Sequence, residues 1–422
     1  MINPALITDP DRCMKCGFCM SSCPVYDIDH NESHVARGRN MLIKMAYDNE
    51  LPLEDVYKEC LDSCILCKRC EAVCPANLSP TEIAIRAKQE MIEKKGMSWL
   101  QKSLHKGIAE RRSSIARIAG LAALIPGISV KGGRPLRHLT DMASFLSGTL
   151  SFPSLSSPSL KKRIPQITKP KSGMKDLGEV AIFPGCVFEF FLADIGEDII
   201  STLVNAGFKV VYPEGLNCCG LAVHNAGDFK TAKLMAIRNI EILSRYDHIV
   251  TGCATCGSAL KNYGNWLIED DTWKEKAREF SEKVSDLSEF LFCKGFRSED
   301  VFSPPITVTY HDPCHLKFHQ GIFSQPRELL KSINGIKYIE MESADACCGM
   351  GGSFSISNRE TSLAIQEKKM EAIRKTEAQV VVTSCPGCIL NLTDGIRRKK
   401  LPVKAMHISQ FLNNKGKVIN KE

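Results

Sequence analysis

Two stretches of this chain carry cysteine at the same spacing. Cys13-x-x-Cys16-x-x-Cys19-x-x-x-Cys23-Pro24 is followed by Cys64-x-x-Cys67-x-x-Cys70-x-x-x-Cys74-Pro75. Three thiolates two residues apart wrap one corner of an iron-sulfur cubane, and the fourth, followed by proline, turns away to ligate the other cubane. The spacing therefore predicts one [4Fe-4S] cluster on Cys13, Cys16, Cys19 and Cys74, and a second on Cys64, Cys67, Cys70 and Cys23. Thiolates are soft, anionic donors that suit iron. Zinc uses Cys-x-x-Cys pairs, but not eight cysteines in this pattern with two prolines.

Ten further cysteines fall into two groups of five, each a single cysteine, an adjacent pair, then Cys-x-x-Cys. The first group is Cys186, Cys218, Cys219, Cys253 and Cys256; the second is Cys314, Cys347, Cys348, Cys385 and Cys388. Each cysteine or pair follows an apolar run that reads as a strand and precedes a helical pattern. In open α/β sheets the carboxyl ends of strands converge on one edge, where ligands bind. Helix N-termini at that edge favour anionic species such as a thiolate-bound cluster. Five thiolates converging on one point exceed a tetrahedral zinc site.

The elements that carry these groups are themselves duplicated. VAIFPGC, FKVVYPEGLNCCG, HIVTGCATC and VSDLSEFL recur in the same order as TVTYHDPC, IKYIEMESADACCG, VVVTSCPGC and AMHISQFL. Similar features at a nearly constant offset indicate duplication of one unit, and short apolar runs alternating with amphipathic helices indicate parallel βαβ units. The predicted organisation is α+β: a mainly helical ferredoxin-like domain with two [4Fe-4S] clusters over 1–92, a basic, Ser/Pro-rich linker over 93–177 with a candidate helix at 98–125, and a duplicated α/β unit with short parallel sheets over 178–296 and 297–422. Cys60 and Cys293 are left over, and both read as buried thiols without a ligand role. His311, His315 and His319 flank Cys314 and either donate to cluster sulfur or move protons, or simply satisfy local backbone groups.

Composition narrows the function classes. Of 422 residues 20 are cysteine. The opening MINPALITDPDRC lacks a basic segment followed by an apolar run, so the expectation is a cytoplasmic protein whose thiols are reduced and bound to metal. The longest charge-free apolar stretch, Ile118 to Val130, holds 13 residues and a proline, too short to span a bilayer. Between Lys94 and Lys175, 16 Lys and Arg face two acidic residues, a local +14 that leaves about −7 on the rest of a chain of net charge +7. Such a segment either docks on anionic lipid or an acidic partner, or is a tether kept soluble by its charge. Nucleic acid is not expected: no recognition motif is present and no aromatics interleave with the basic residues.

Cys-x(31)-Cys-Cys-x(33)-Cys-x-x-Cys and Cys-x(32)-Cys-Cys-x(36)-Cys-x-x-Cys resemble the CCG motif, named for CysCysGly at 218–220 and 347–349. They are similar to the catalytic subunit of heterodisulfide reductase, a resemblance that implies a non-cubane [4Fe-4S] cluster on each five-cysteine group. The whole chain resembles the iron-sulfur subunit of glycolate oxidase, on ARGRNMLIK (36–44), TYHDPCHL (309–316) and QPRELL (325–330). It is also similar to the corresponding subunits of D-lactate and anaerobic glycerol-3-phosphate dehydrogenases, and to the D-type subunit of heterodisulfide reductase. The resemblance implies an oxidoreductase subunit that passes electrons from a partner FAD-containing dehydrogenase subunit to a respiratory or other acceptor, a membrane subunit or quinone among them, from the cytoplasm or the inner face of the cell membrane. The alternative it leaves open is reduction of a disulfide at a CCG-bound cluster. No flavin or nicotinamide fingerprint is read in the chain, since Gly349-x-Gly351-Gly352 lacks the required spacing. A hydride-removing step is therefore expected in another subunit.

Overall fold

The structure, a computed structural model, describes residues 8–110, 155–170, 172–173, 175–297 and 301–413. The chain is α+β, with a helical N-terminal module set against two small, mainly parallel sheets. The candidate helix at 98–125 is formed as Trp99–Glu110, and its remainder lies outside the described residues. Among the described residues no helix is long and apolar enough to cross a membrane.

In the N-terminal module the helix Pro80–Lys95 starts on proline, carries Glu82 in its first turn and Lys94 and Lys95 in its last, and stops at Gly96 with φ 77°. Those are the residue types that complement a helix at each end. Its inner face places Ile83 and Ala87 against Ile43, Tyr57 and Leu61 of two neighbouring helices, a small core that holds the two cysteine-bearing loops together. Cys60 is buried on one of those helices.

The first sheet comprises β1 (Ile167–Thr168), β2 (Glu179–Ile182), β3 (Lys209–Val211), β4 (Ile249–Thr251) and β5 (Val284–Asp286), in the order β1-β3-β2-β4-β5. The second comprises β6 (Val301–Tyr310), β7 (Asn334–Tyr338), β8 (Val380–Thr383) and β9 (Lys404–His407), in the order β7-β6-β8-β9. Leaving β1 aside, the two orders are the same and every pairing is parallel. Strands such as Ile249–Thr251 and Val380–Thr383 are buried throughout, as expected where helices cover both faces of a parallel sheet. Strand order reverses between β2 and β4, and between β6 and β8, and each reversal opens a crevice at the strands' carboxyl ends.

Part of the segment expected to be a linker is built into the first sheet. β1 pairs antiparallel with β3, Ile167 opposite Val211, and Leu160 is fully buried in the main core. A Cβ on Gly196 would stand 2.4 Å from Leu160 Cδ2, so the helix carrying Gly196 is shaped to receive that side chain. The Ser/Pro-rich composition concealed this because one leucine and a two-residue edge strand leave no periodic pattern. In the basic triplet, Arg163 pairs with Asp194, and Lys161 lies 3.3 Å from Glu214. Cys293 also departs from expectation: it is exposed at the end of the helix Leu287–Cys293, whose Leu287, Phe290 and Leu291 face the core.

The two repeats share one continuous core, with Phe302, Phe411 and Leu412 joining the cluster built around the first sheet. Polar locks support it: His407 Nε2 lies 2.8 Å from Gly252 O, and Asn413 Nδ2 donates to Asp198 at 2.8 Å. The N-terminal module docks on both repeats. Arg69 and Lys317 converge on Asp345 at 2.9 and 2.6 Å, and Lys368 reaches Asp27 at 2.7 Å. On the first repeat, Gly227 packs against the Lys88–Gln89 backbone, where an added Cβ would stand 2.6 Å from Gln89 N, and in the following segment His105 lies 2.9 Å from Asp228, both buried.

Candidate metal centres and their family

Cys13, Cys16, Cys19 and Cys74 line one concavity together with Cys70, Phe18, Arg37 and Pro75. Gly17 turns the first loop with φ 87°. Burial raises the Cys19 thiol, and the neighbouring Cys13 and Cys16 raise it further. Cys64, Cys67 and Cys70 lie instead with Cys23. Burial pushes Cys67 up to about 12, with Cys23 and Cys64 adding to the effect. The Leu66 backbone N–H points at Cys64 Sγ, 3.4 Å away.

In the first five-cysteine group, Cys253 caps the helix Ala254–Leu260 and accepts from Cys256 N at 3.3 Å. Cys218, Cys219, Cys253 and Cys256 are buried together; Cys219 and Cys256 are raised well above the ordinary thiol range, each first by a neighbouring cysteine, Cys218 and Cys219 respectively. Cys186 sits in the first turn of the helix Gly185–Phe190. A Cβ on Gly185 would stand 2.8 Å from Cys256 Sγ, and its φ is 72°, so only glycine lets that helix start against the sulfurs. Tyr263 Oη donates to Cys219 O at 2.9 Å and Asn239 Nδ2 to Cys218 O at 3.1 Å, which fixes the CysCysGly turn.

In the second group, Cys348 Sγ lies 3.4 Å from Cys388 Sγ, and Gly349 N donates to Cys347 Sγ at 3.3 Å. Cys385 caps the helix Pro386–Lys399, and Cys314 opens the helix Cys314–Gln320. Donation from Cys347 and Cys388, with His311 beside it, holds Cys348 well below the ordinary thiol range. Donation from Cys388 holds Cys385 at about 7 despite burial. Burial raises Cys314, and Cys67, Cys348 and Cys385 raise it further. A CysCysGly turn again anchors the pair: Asn391 donates to Cys348 O, and Ser362 Oγ to Gly349 O at 2.7 Å.

Cys13, Cys16, Cys19, Cys70 and Cys74 thus line one concavity, Cys218, Cys219, Cys253 and Cys256 share one buried core, and Cys347, Cys348, Cys385 and Cys388 are buried in the second repeat. The donor chemistry fits iron-sulfur clusters. Buried thiolates crowded together disfavour one another's ionisation, and bound iron relieves that cost. Backbone N–H groups and helix N-termini aimed at the sulfurs suit an anionic cluster.

The contacts between sets were not readable from spacing. Cys67 shares a buried apolar cluster with Cys347, with Cys314 packed against it. Leu66 O, next to Cys67, accepts from His319 Nε2 at 3.0 Å when that nitrogen carries the proton. The two five-cysteine groups meet where Thr255 Oγ1 lies 3.6 Å from Cys385 Sγ and Ala254 N donates to Ser384 O at 3.2 Å. Of the three histidines, His311 reaches Cys348 and Cys388, all ligand atoms within 4.8 Å. His315 Nδ1 lies 3.5 Å from Cys314 Sγ, and His319 stacks on His315 at 4.2 Å. Lys369, buried beside the second group, had no sequence signal, since it falls on a helix rich in charge.

Residues 9–78 match the family described as "4Fe-4S dicluster domain", and residues 180–261 and 308–393 each match the CCG family, "Cysteine-rich domain". The chain is 31% identical to a probable glycolate oxidase iron-sulfur subunit of Bacillus subtilis strain 168, over 95% of this chain and 93% of that protein. It is 29% identical to a subunit of the fumarate reductase (CoM/CoB) of Methanothermobacter marburgensis, over 95% of this chain and 71% of that one. Lactate utilization protein A of Bacillus licheniformis matches over its full length and 56% of this chain, at 29% identity. Two CCG repeats behind a dicluster module, matched nearly end to end, identify this chain as a member of the glycolate oxidase iron-sulfur subunit family.

Proposed function

We propose that this chain is the electron-transfer subunit of a flavin-dependent 2-hydroxyacid dehydrogenase acting on glycolate or D-lactate. Cys13, Cys16, Cys19 and Cys74 hold one cubane [4Fe-4S] cluster, and Cys64, Cys67, Cys70 and Cys23 hold another. Each five-cysteine group holds a non-cubane [4Fe-4S] cluster. When bound, these clusters supply one-electron carriers and no hydride acceptor. Substrate oxidation belongs to an FAD-containing partner, and the electrons pass on to a respiratory or other acceptor, a membrane subunit or quinone among them. The chain works in the cytoplasm or seated on the inner face of the cell membrane.

One observation carries the reading: the four cysteine sets abut in a fixed order. Cys70 lies at the boundary of the two ferredoxin-type sets. Cys67 packs with Cys347 of the second CCG group, and Thr255 brings the first CCG group to Cys385. Buried apolar side chains such as Ile65 and Phe354 exclude water from the junction between module and repeat.

Iron content tests the cofactor part of the reading. Two cubanes require eight irons, so anaerobically purified chain should contain well over eight, with paramagnetic species beyond a ferredoxin pair. Iron near eight with no added species would remove the non-cubane assignment.

A further inference from the structure

The two CCG groups are built on the same frame, which allows their surroundings to be compared position by position. Phe183 N donates to Val250 O and His311 N to Val382 O at the same point of each ladder. Each of those residues stands three positions before the lone cysteine of its group. Phe183 of the first repeat therefore corresponds to His311 of the second, and Val187 to His315. A Cβ on the glycine of each CysCysGly turn would face Ala232 O in the first repeat and Ser362 O in the second. About two turns further along those helices stand Asn239 and Lys369. Phe183, Val187 and Asn239 at the first group are thus matched by His311, His315 and Lys369 at the second.

The two histidines stand beside the sulfurs, and Lys369 lies near them. Neither ring nitrogen of the buried His311 has a hydrogen-bond partner among the described residues, although one lies within 4.8 Å of the Cys348 and Cys388 sulfurs. His315, with the proton on Nδ1, donates to Cys314 Sγ at 3.5 Å. Lys369 Nζ is anchored by Ser343 O and Ala344 O at 2.9 and 3.2 Å, within electrostatic reach of Cys347 and Cys348. Asn239, in contrast, spends its side chain on backbone and on Tyr263.

We propose that His311, His315 and Lys369 form a donor set that raises the reduction potential of the cluster held by the second CCG group, a set the first group lacks. The inference rests on the cluster assignment above. Reduction adds one negative charge to a cluster, and N–H donors and a nearby ammonium stabilise the more negative state. The second group needs this more than the first, because Cys67 brings another anionic cluster against Cys314 and Cys347. Like charge at that junction opposes reduction, and the donor set offsets it.

The test uses the full chain, purified anaerobically, with iron content measured first and redox titration followed by electron paramagnetic resonance second. His311→Phe and Lys369→Asn each install the first repeat's residue, and each should shift one of the two added centres to lower potential while leaving the ferredoxin-type signals in place. Phe183→His should raise the other added centre. If His311→Phe costs the centre outright, His311→Asn, which keeps an N–H donor, should hold the potential nearer to wild type than Lys369→Asn does. Unmoved potentials in both His311→Phe and Lys369→Asn would overturn the donor set. Absence of added centres from the wild type, read at the iron-counting stage, would overturn the cluster assignment and the donor set with it.

Discussion

Cys67 and Cys347 lie far apart in sequence and in different parts of the fold, yet they share one buried apolar cluster with Ile65, Phe354 and Ile365. The Arg69–Asp345–Lys317 ion-pair group borders the same junction, at 2.9 and 2.6 Å. The N-terminal module is therefore fixed on the second repeat with its own cysteines against that repeat's cysteines. A wet, loosely tethered module could not hold such a relationship.

Changing Cys23 to Ser should damage the cluster of Cys64, Cys67 and Cys70, not that of its sequence neighbours. Cys23 lies with those three cysteines, and burial together with Cys64 raises its thiol. Spectroscopy of the single variant reads the outcome, and selective loss of the cluster on Cys13, Cys16 and Cys19 would refute the crossed arrangement.

Leu160 is the probe for the segment between the module and the first repeat. It is fully buried against Gly196, so Leu160→Ala should cost about 2–5 kcal/mol of stability. Thermal unfolding measures this, and a negligible change would return the segment to the status of a tether.

Much of the site was legible because cluster ligation constrains residue type and spacing together. The two ferredoxin-type motifs, both five-cysteine groups and the duplication are all written in cysteine positions. The parallel strands were readable because buried strands such as Val380–Thr383 are continuous apolar runs. Contacts between elements distant in sequence were not readable. Nothing near Cys67 announces Cys347, and the role of Leu160 depends on a cleft supplied by another helix. Cys293 sits in an apolar run, EFLFC, and only the helical phase turns it outward.

Asp286 gives a pH dependence with a definite sign. It is fully buried, and burial pushes its carboxyl up to about 6, although Ser288 hydrogen bonds oppose this. A carboxyl raised in the folded state is ionised more readily in the unfolded chain. Stability attributable to this group is thus highest below pH 4 or so and falls as pH rises towards about 6. Asp286→Asn should flatten that slope, a difference of roughly 2–3 kcal/mol at neutral pH by the pKa–energy conversion. Thermal melts of both proteins across pH 4.5 to 7.5 (about the accessible range) check this, and parallel slopes would contradict it.

Division of labour is the central claim, and stopped-flow spectroscopy of the reconstituted complex tests it most directly by following flavin and cluster bands separately. The isolated chain should oxidise neither glycolate nor D-lactate. With the flavin subunit, substrate should reduce first the flavin and then the clusters. Double replacement of Cys347 and Cys348 by Ser should leave flavin reduction intact and block delivery to the final acceptor. Loss of flavin reduction in that variant, or turnover of a disulfide by the isolated chain at a catalytic rate, would contradict the account.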